Sequence, residues 1–353
     1  MSQSFNKLIH FSKTPPAEVV KLLSDTIIGT NGLQYKLLDT PEKVYHLSMP
    51  LFIYLQRQEQ AIANITFCER AISPGIKHYY LRYFAFAKGL QGSGKKRRGN
   101  SVFAKSIAQL FTTDNLNLDN PTYGKSIYWA YIDPHNSRSF NNQLKSDFIQ
   151  IGAFNTLPFS RFYPKKCSAV SIIHSSEKKL VKDLLANHYK DHNFYADTHI
   201  FDNDQYYVYK VNGEIVAGLQ VHKVHWEIVS LPGKFGKALL KICPYIPLIN
   251  KLINPKDYRF LATEGLFYQA VHENILADFF EGILHLTNYN SMLFWEDTKS
   301  PRLAQHKMQW GWLGKLSKQE TPVHVLAKFN GVTSVEIDKI KNRPTYISGF
   351  DVT

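Results

Sequence analysis

From Lys88 to Ser101 the chain reads Lys-Gly-Leu-Gln-Gly-Ser-Gly-Lys-Lys-Arg-Arg-Gly-Asn-Ser, a run of four cations set among glycines. Glycine lets main-chain N–H groups approach a ligand closely, and Lys and Arg bring charge, so the chemistry is phosphate binding. Three readings compete. Gly89 and Gly94-Lys95 match G-x-x-x-x-G-K, but Lys96 stands where a nucleoside triphosphate site needs Ser or Thr for magnesium. A solvated basic run is the second. The third is coenzyme A, its pyrophosphate on the N–H groups of Arg97 to Ser101 and its 3′-phosphate on Lys or Arg side chains. Close to this loop in sequence are Tyr80 and Tyr83, which can donate a proton, and Glu69 and Asp133, which can take one. Each also has a plain structural role: a strand Tyr packs half-buried, and a lone Asp at a strand end caps a turn.

These groups need a scaffold, and the hydrophobic pattern supplies one. Ile76 to Ala87 reads as a long strand, and Val102, Phe103, Ile107, Leu110 and Phe111 recur at helical spacing. The basic loop therefore runs from a strand into a helix N-terminus, whose dipole favours an anion. Ser126 to Asp133 reads as the next strand and Asn141 to Gln150 as the next helix. Upstream, Phe5 to His10 is a strand, Thr14-Pro15-Pro16 opens a helix, and two apolar runs, Leu51 to Leu55 and Ala61 to Ile65, form a hairpin.

A similar order returns later. Ala169 to His174 is a strand, Ser175 or Ser176 can cap a helix carrying Val181 and Leu185, and Tyr206 to Leu219 is a hairpin turning at Asn212-Gly213. Arg259 to Glu264, Glu273 to Leu286, Ser291 to Glu296 and Pro322 to Phe329 continue as strand, helix, strand and strand, without a basic Gly loop. Two related α+β units are the economical reading, with a boundary near Tyr163 to Ser168.

The strand Tyr79 to Ala87, the segment Lys96-x-x-Gly99-x-Ser101 and the helix after it resemble the acyl-CoA signature of the GNAT acetyltransferase superfamily. That signature is Gln or Arg, two residues, Gly, one residue, then Gly or Ala; Lys96 and Ser101 depart from it. The resemblance implies two GNAT-like units, each a mixed, mostly antiparallel central sheet flanked by helices. Residues 1–165 would bind the acyl-CoA, and residues 166–353 would shape the acceptor site or serve structure. It implies acetyl-CoA, a coenzyme A thioester, held by Phe84, Ala85, Phe86, Lys96, Arg97, Arg98, Gly99, Asn100, Ser101 and Asn141. In that comparison Ile151 to Phe154 is the turn closing the helix, and Phe148 takes the place of a Tyr that donates to the leaving thiolate. Tyr80 or Tyr83 then becomes the acid, and Glu69 or Asp133 the base.

Composition narrows the classes. Apolar residues make up 44% and aromatics 14% of 353 residues, too much for disorder and enough for two cores. Lys and Arg exceed Asp and Glu, 42 against 29, which suits anionic partners. The apolar stretch Ala238 to Ile253 is broken by Lys241, Pro244, Pro247 and Lys251, so no membrane span is expected. The N-terminus does not read as a secretory signal and Cys68, Cys167 and Cys243 lie far apart, which predicts the cytoplasm and no Cys-based metal site. His188 and His192 lack a third ligand and read as an exposed helix end. The expected function is transfer of an acetyl or similar acyl group from coenzyme A to the amine of a small molecule or peptide. The alternatives are a related tandem fold using aminoacyl-tRNA, and a coenzyme A-binding module whose catalytic groups have decayed.

Overall fold

The computed structural model describes residues 8–29, 33–88, 102–113, 124–136, 146–231, 233, 236–306, 309–316 and 321–353. In the first half the strands are β1 (Ile9–Ser12), β2 (Gln34–Leu37), β3 (Pro50–Arg57), β4 (Gln60–Ser73), β5 (Ile76–Phe86), β6 (Lys125–Ile132) and β7 (Ile149–Ser160). Helices α1 (Ala17–Ser24), α2 (Thr40–Tyr45) and α3 (Val102–Thr113) accompany them. The second half has β8 (Val170–Ile172), β9 (Tyr206–Val211), β10 (Glu214–Ser230), β11 (Tyr258–Tyr268), β12 (Ser291–Asp297) and β13 (Val323–Asn330). Its helices are α4 (Lys178–His188), α5 (Gly236–Ile242), α6 (Pro247–Leu252), α7 (Leu276–Thr287), α8 (Gly311–Leu316), α9 (Ser334–Asn342) and α10 (Gly349–Val352).

All thirteen strands join one sheet, in the order β1-β3-β4-β5-β6-β13-β7-β12-β11-β10-β9-β8, with β2 paired to the far end of β10. The neighbours are antiparallel except β5 with β6 and β11 with β12, which run parallel. Each half is thus a mostly antiparallel sheet with one parallel pair. The halves interlock, because β13 lies between β6 and β7, and β7 in turn borders β12.

The two faces of each half are covered in the same way. In the first, Phe103, Ile107, Leu110 and Phe111 of α3 pack on one face, and Val19, Leu22 and Leu23 of α1 on the other. In the second, Phe279, Phe280 and Ile283 of α7 fill one face, and Val181 and Leu185 of α4 the other. The stripes of α3 and α4 are those read from the sequence, now each matched to a sheet face.

Four local readings are corrected. No helix ends at Gln150: Ser146 and Asp147 form a turn, β7 starts at Ile149, and Gly152 to Phe154 lie in mid-strand. Ile149 to Phe154 pair with β13, and the strand runs on beside β12 from Phe154 to Ser160, so tertiary pairing overrides a locally ambiguous apolar pattern. Phe148 is buried against Phe111, ring centroids 5.3 Å apart, as packing for α3. Pro16 rather than Thr14 stands at the N-cap of α1. Before α4, the cap is His174, whose ring accepts from the N–H of Ser176 while Glu177 accepts from the N–H of His174.

Candidate active site

The pairing of β5 with β6 runs from Ile76 opposite Lys125 to Tyr80 opposite Trp129 and then stops. Beyond it β5 stays with β4 and β6 stays with β13, so the two strands part and leave a V-shaped opening. Just past the parting point the β4–β5 register slips: Thr66 faces Arg82 and Asn64 faces Ala85, so Tyr83 and Phe84 together oppose Ile65. This is a β-bulge, a device that turns side chains out of the pleat and ends regular pairing. Tyr83 has φ 53°, and Asn64 secures it by donating from Nδ2 to the Tyr83 carbonyl at 2.9 Å.

The second half repeats the geometry. Pairing of β11 with β12 ends at Ala262 opposite Leu293, and the β10–β11 register slips between Gln220 opposite Glu264 and Gly218 opposite Phe267. Gly265 takes the bulge with φ 56°, and a Cβ there would meet Ile200 Cδ1 at 2.5 Å, so both space and backbone favour glycine. Arg82 and Glu264 precede the two bulges, and both side chains are buried.

A single segment, Thr345 to Thr353, connects the two openings. Tyr346 Oη donates to Glu264 Oε1 at 3.1 Å, and the Phe350 N–H donates to Glu264 Oε2 at 3.2 Å. Arg82 Nη1 donates to the Phe350 carbonyl at 2.7 Å, and its Nη2 to the Thr353 carbonyl. Arg70 pairs with Asp351 at 2.6 Å, both side chains almost fully buried. His222 Nε2 lies 3.0 Å from Glu264 Oε2. Burial would raise the Glu264 carboxyl, but the bonds from His222 and the Phe350 N–H, with the charge of His199 nearby, hold it at about 2. Every buried charge in this layer therefore has partners, which is the condition for tolerating it.

The residues singled out in the sequence separate here. Tyr80 donates its hydroxyl to the Asp351 carbonyl at 2.9 Å and is committed to the connecting segment. Tyr83 keeps a buried hydroxyl with no hydrogen-bond partner among the described residues, under the Arg82 guanidinium 4.6 Å from its ring centre. Burial pushes its phenol up to about 12, Arg82 opposing, so it is a protonated donor at neutral pH. Its ring joins two apolar clusters, one from each half, as Trp295 does. Glu69 shares the face of Phe67, opposite to Tyr80 and Arg82, and pairs with Lys77 at the surface. Asp133 accepts from the N–H of His135 at 2.7 Å, a turn cap. Ala85 is buried, Phe84 is exposed, and Phe86 lies 6.2 Å from Phe103 in the first turn of α3. Lys96, Arg97, Arg98, Gly99, Asn100, Ser101 and Asn141 lie outside the described residues.

Sequence reasoning overlooked three features. Arg82 and Arg70 sit on strand faces that are otherwise apolar, and a lone cation on such a face was the available signal. Lys43 of α2 is buried with no hydrogen-bond partner among the described residues; burial pushes its amine down to about 7, Asp39 at 3.8 Å opposing and Arg82 adding. The third is a cavity of about 80 Å³ in the second opening, lined among others by His188, His192, Tyr268, Glu296 and Arg302. His188 and His192 are thus not an exposed helix end: burial, with Arg302 adding, pushes both imidazoles down to about 4. A smaller cavity of about 10 Å³ between the openings is lined by Trp129, Tyr131 and Asp351. Glu264 and Tyr346 line both.

No family model matches the sequence, and no curated protein matches it. Among solved structures, Saccharomyces cerevisiae N-myristoyltransferase with bound myristoyl-CoA is similar with a TM-score of 0.56 and 8% identity, over 98% of this chain and 85% of that one. The GCN5-related glucosamine N-acetyltransferase region of a fungal multi-domain GH3 β-N-acetylglucosaminidase gives 0.52 and 9%, over 90% of this chain and 38% of that one. At such identities the likeness is one of fold, and it covers nearly the whole chain with its splayed parallel strands. The chain has the GNAT fold, that of the GCN5-related N-acetyltransferase superfamily.

Proposed function

We propose that this protein is an acyl-CoA-dependent N-acyltransferase, in which the first half holds the thioester and the second half holds the amine. The observation that carries this reading is the bulge at Tyr83, set where β5 leaves β6 and next to the start of α3. Past Tyr80 β5 no longer pairs with β6, and in this reading the main chain of β5 along that opening polarises the thioester carbonyl. The N-myristoyltransferase of like fold was solved with myristoyl-CoA bound. The loop from Lys96 to Ser101, with Asn141, would then take the phosphates and the pantetheine arm.

In the reaction the amine nitrogen bonds to the acyl carbon, the C–S bond breaks, the amine loses a proton and the thiolate gains one. Tyr83 is the donor this reading favours, since its hydroxyl is uncommitted and Tyr80's is not. The cavity in the second opening suits the acceptor. Glu264, Glu296 and Asp297 line it against one guanidinium, Arg302, and two imidazoles held neutral, a balance that favours an ammonium group and offers it a proton acceptor.

Calorimetric titration with acetyl-CoA and longer acyl-CoAs tests the donor, beside ATP with magnesium and a mixed tRNA. Micromolar binding of one acyl-CoA, lost in Gly99→Asp, supports the reading; thiol release on an amine panel then establishes turnover. Binding of tRNA or ATP without any acyl-CoA sinks it, and acyl-CoA binding without turnover on any amine leaves a binding module.

A further inference from the structure

Residues 231–256 hold five lysines, at 234, 237, 241, 251 and 256, and no Asp or Glu. Pro244 and Pro247 break the segment, so it forms two short helices, α5 and α6, with a 3-10 turn at Cys243–Tyr245 between them. One side faces inward: Leu240 and Ile253 pack on Val224, Trp226 and Phe260, the cluster that the Tyr83 ring also joins, and Cys243 and Leu252 are buried.

The other side stands out from the protein. Leu239, Ile242, Tyr245, Ile246 and Leu248 are exposed by 48%, 52%, 85%, 39% and 49%, five large apolar side chains within ten residues. Single exposed apolar residues need no explanation, but a contiguous group of this kind marks an interaction surface. Cations frame it. Lys241 and Lys251 are exposed, and Lys251 Nζ lies 4.0 Å from the ring centre of Tyr163, itself 70% exposed. Aliphatic side chains protruding between lysines match the layering of an anionic bilayer, with hydrocarbon below and charged headgroups above. A nucleic-acid surface would use the lysines and leave the leucines and isoleucines in water.

We propose that the α5–α6 segment docks this protein on anionic lipid membranes, with Leu239, Ile242, Tyr245, Ile246 and Leu248 entering the interface and the flanking lysines contacting the headgroups.

The test is co-sedimentation of the full chain with vesicles of phosphatidylcholine alone, or of phosphatidylcholine with about one third phosphatidylserine, at low and high salt. Wild type is expected to bind the phosphatidylserine vesicles, less so at high salt, and to bind the neutral ones weakly. Ile242→Ser with Tyr245→Ser and Leu248→Ser is expected to lower partitioning about tenfold or more. Lys241→Glu with Lys251→Glu is expected to abolish the preference for anionic lipid while circular dichroism and thermal unfolding stay unchanged. No partitioning, or partitioning untouched by both variants, overturns the proposal. So does a serine variant that changes only self-association in size-exclusion chromatography, or a glutamate variant that changes only RNA binding.

Discussion

Arg82 and Glu264 hold the same residue from opposite sides: Arg82 donates to the carbonyl of Phe350 at 2.7 Å, and Glu264 accepts from its N–H at 3.2 Å. The two are corresponding residues of the two halves, each immediately before a bulge with positive φ, at Tyr83 and Gly265. One half thus contributes a cation and the other an anion, and the peptide between them ties the two openings together.

Glu264 makes stability depend on acid. Its folded value of about 2 lies below the ordinary 4.5, so the contribution is full above about pH 4.5 and is lost as pH falls toward 2. The difference corresponds to roughly 3 kcal/mol. Glu264→Gln is expected to lower the Tm at pH 7 and to flatten its fall over that window. Calorimetric Tm against pH checks it, and parallel curves for both proteins would refute the assignment.

Asp351 and Arg70 form a pair that is costly to break on one side only. Asp351→Ala leaves a guanidinium buried and unpaired, which costs about 3–5 kcal/mol. Replacing both, Arg70→Met with Asp351→Leu, is expected to recover much of the loss. Urea denaturation of the three proteins decides; equal losses in single and double variants would show that the pair does not act as a unit.

Tyr83→Phe separates stability from chemistry. The hydroxyl has no hydrogen-bond partner among the described residues, so its removal should leave the Tm unchanged or slightly higher. If it is the thiolate's acid, kcat falls about 10²-fold or more while acyl-CoA affinity is kept. Unchanged turnover would return the role to water or another donor.

Lys43 makes stability rise with pH as Glu264 does, but in a higher window and as a penalty relieved rather than a contribution gained. Its folded value of about 7 is below the ordinary 10.5, so its charge costs the native state most below pH 7, and the cost fades as pH rises toward 10.5. Lys43→Met is expected to stabilise the protein at pH 7, by roughly 4 kcal/mol at most, and to remove the rise in stability from pH 7 to 10. Identical slopes in variant and wild type would rule out a titrating Lys43.

Gly265→Ala is expected to cost about 2 kcal/mol or more, because positive φ and the 2.5 Å approach to Ile200 act together. Denaturant midpoints measure it, and a loss no larger than that of Gly75→Ala, where φ is also positive but space is open, would mean that Ile200 gives way.

Local pattern by itself determined most elements. Strand Ile76 to Phe86, helix Val102 to Thr113 and the Asn212-Gly213 hairpin were legible because apolar period and turn chemistry act between residues close in the chain. Pairing partners were not. That β13 enters between β6 and β7, and that Ile149 to Phe154 is strand rather than helix, depend on which distant edges compete for the same hydrogen bonds. The candidate site was only half visible for a related reason. Tyr80 and Tyr83 are three apart on one strand, yet only the bulge, and the segment that Arg82 and Glu264 hold, commit one hydroxyl and leave the other unpaired. Which charge is buried, and against what, is settled by residues hundreds of positions apart, and that only the tertiary structure decides.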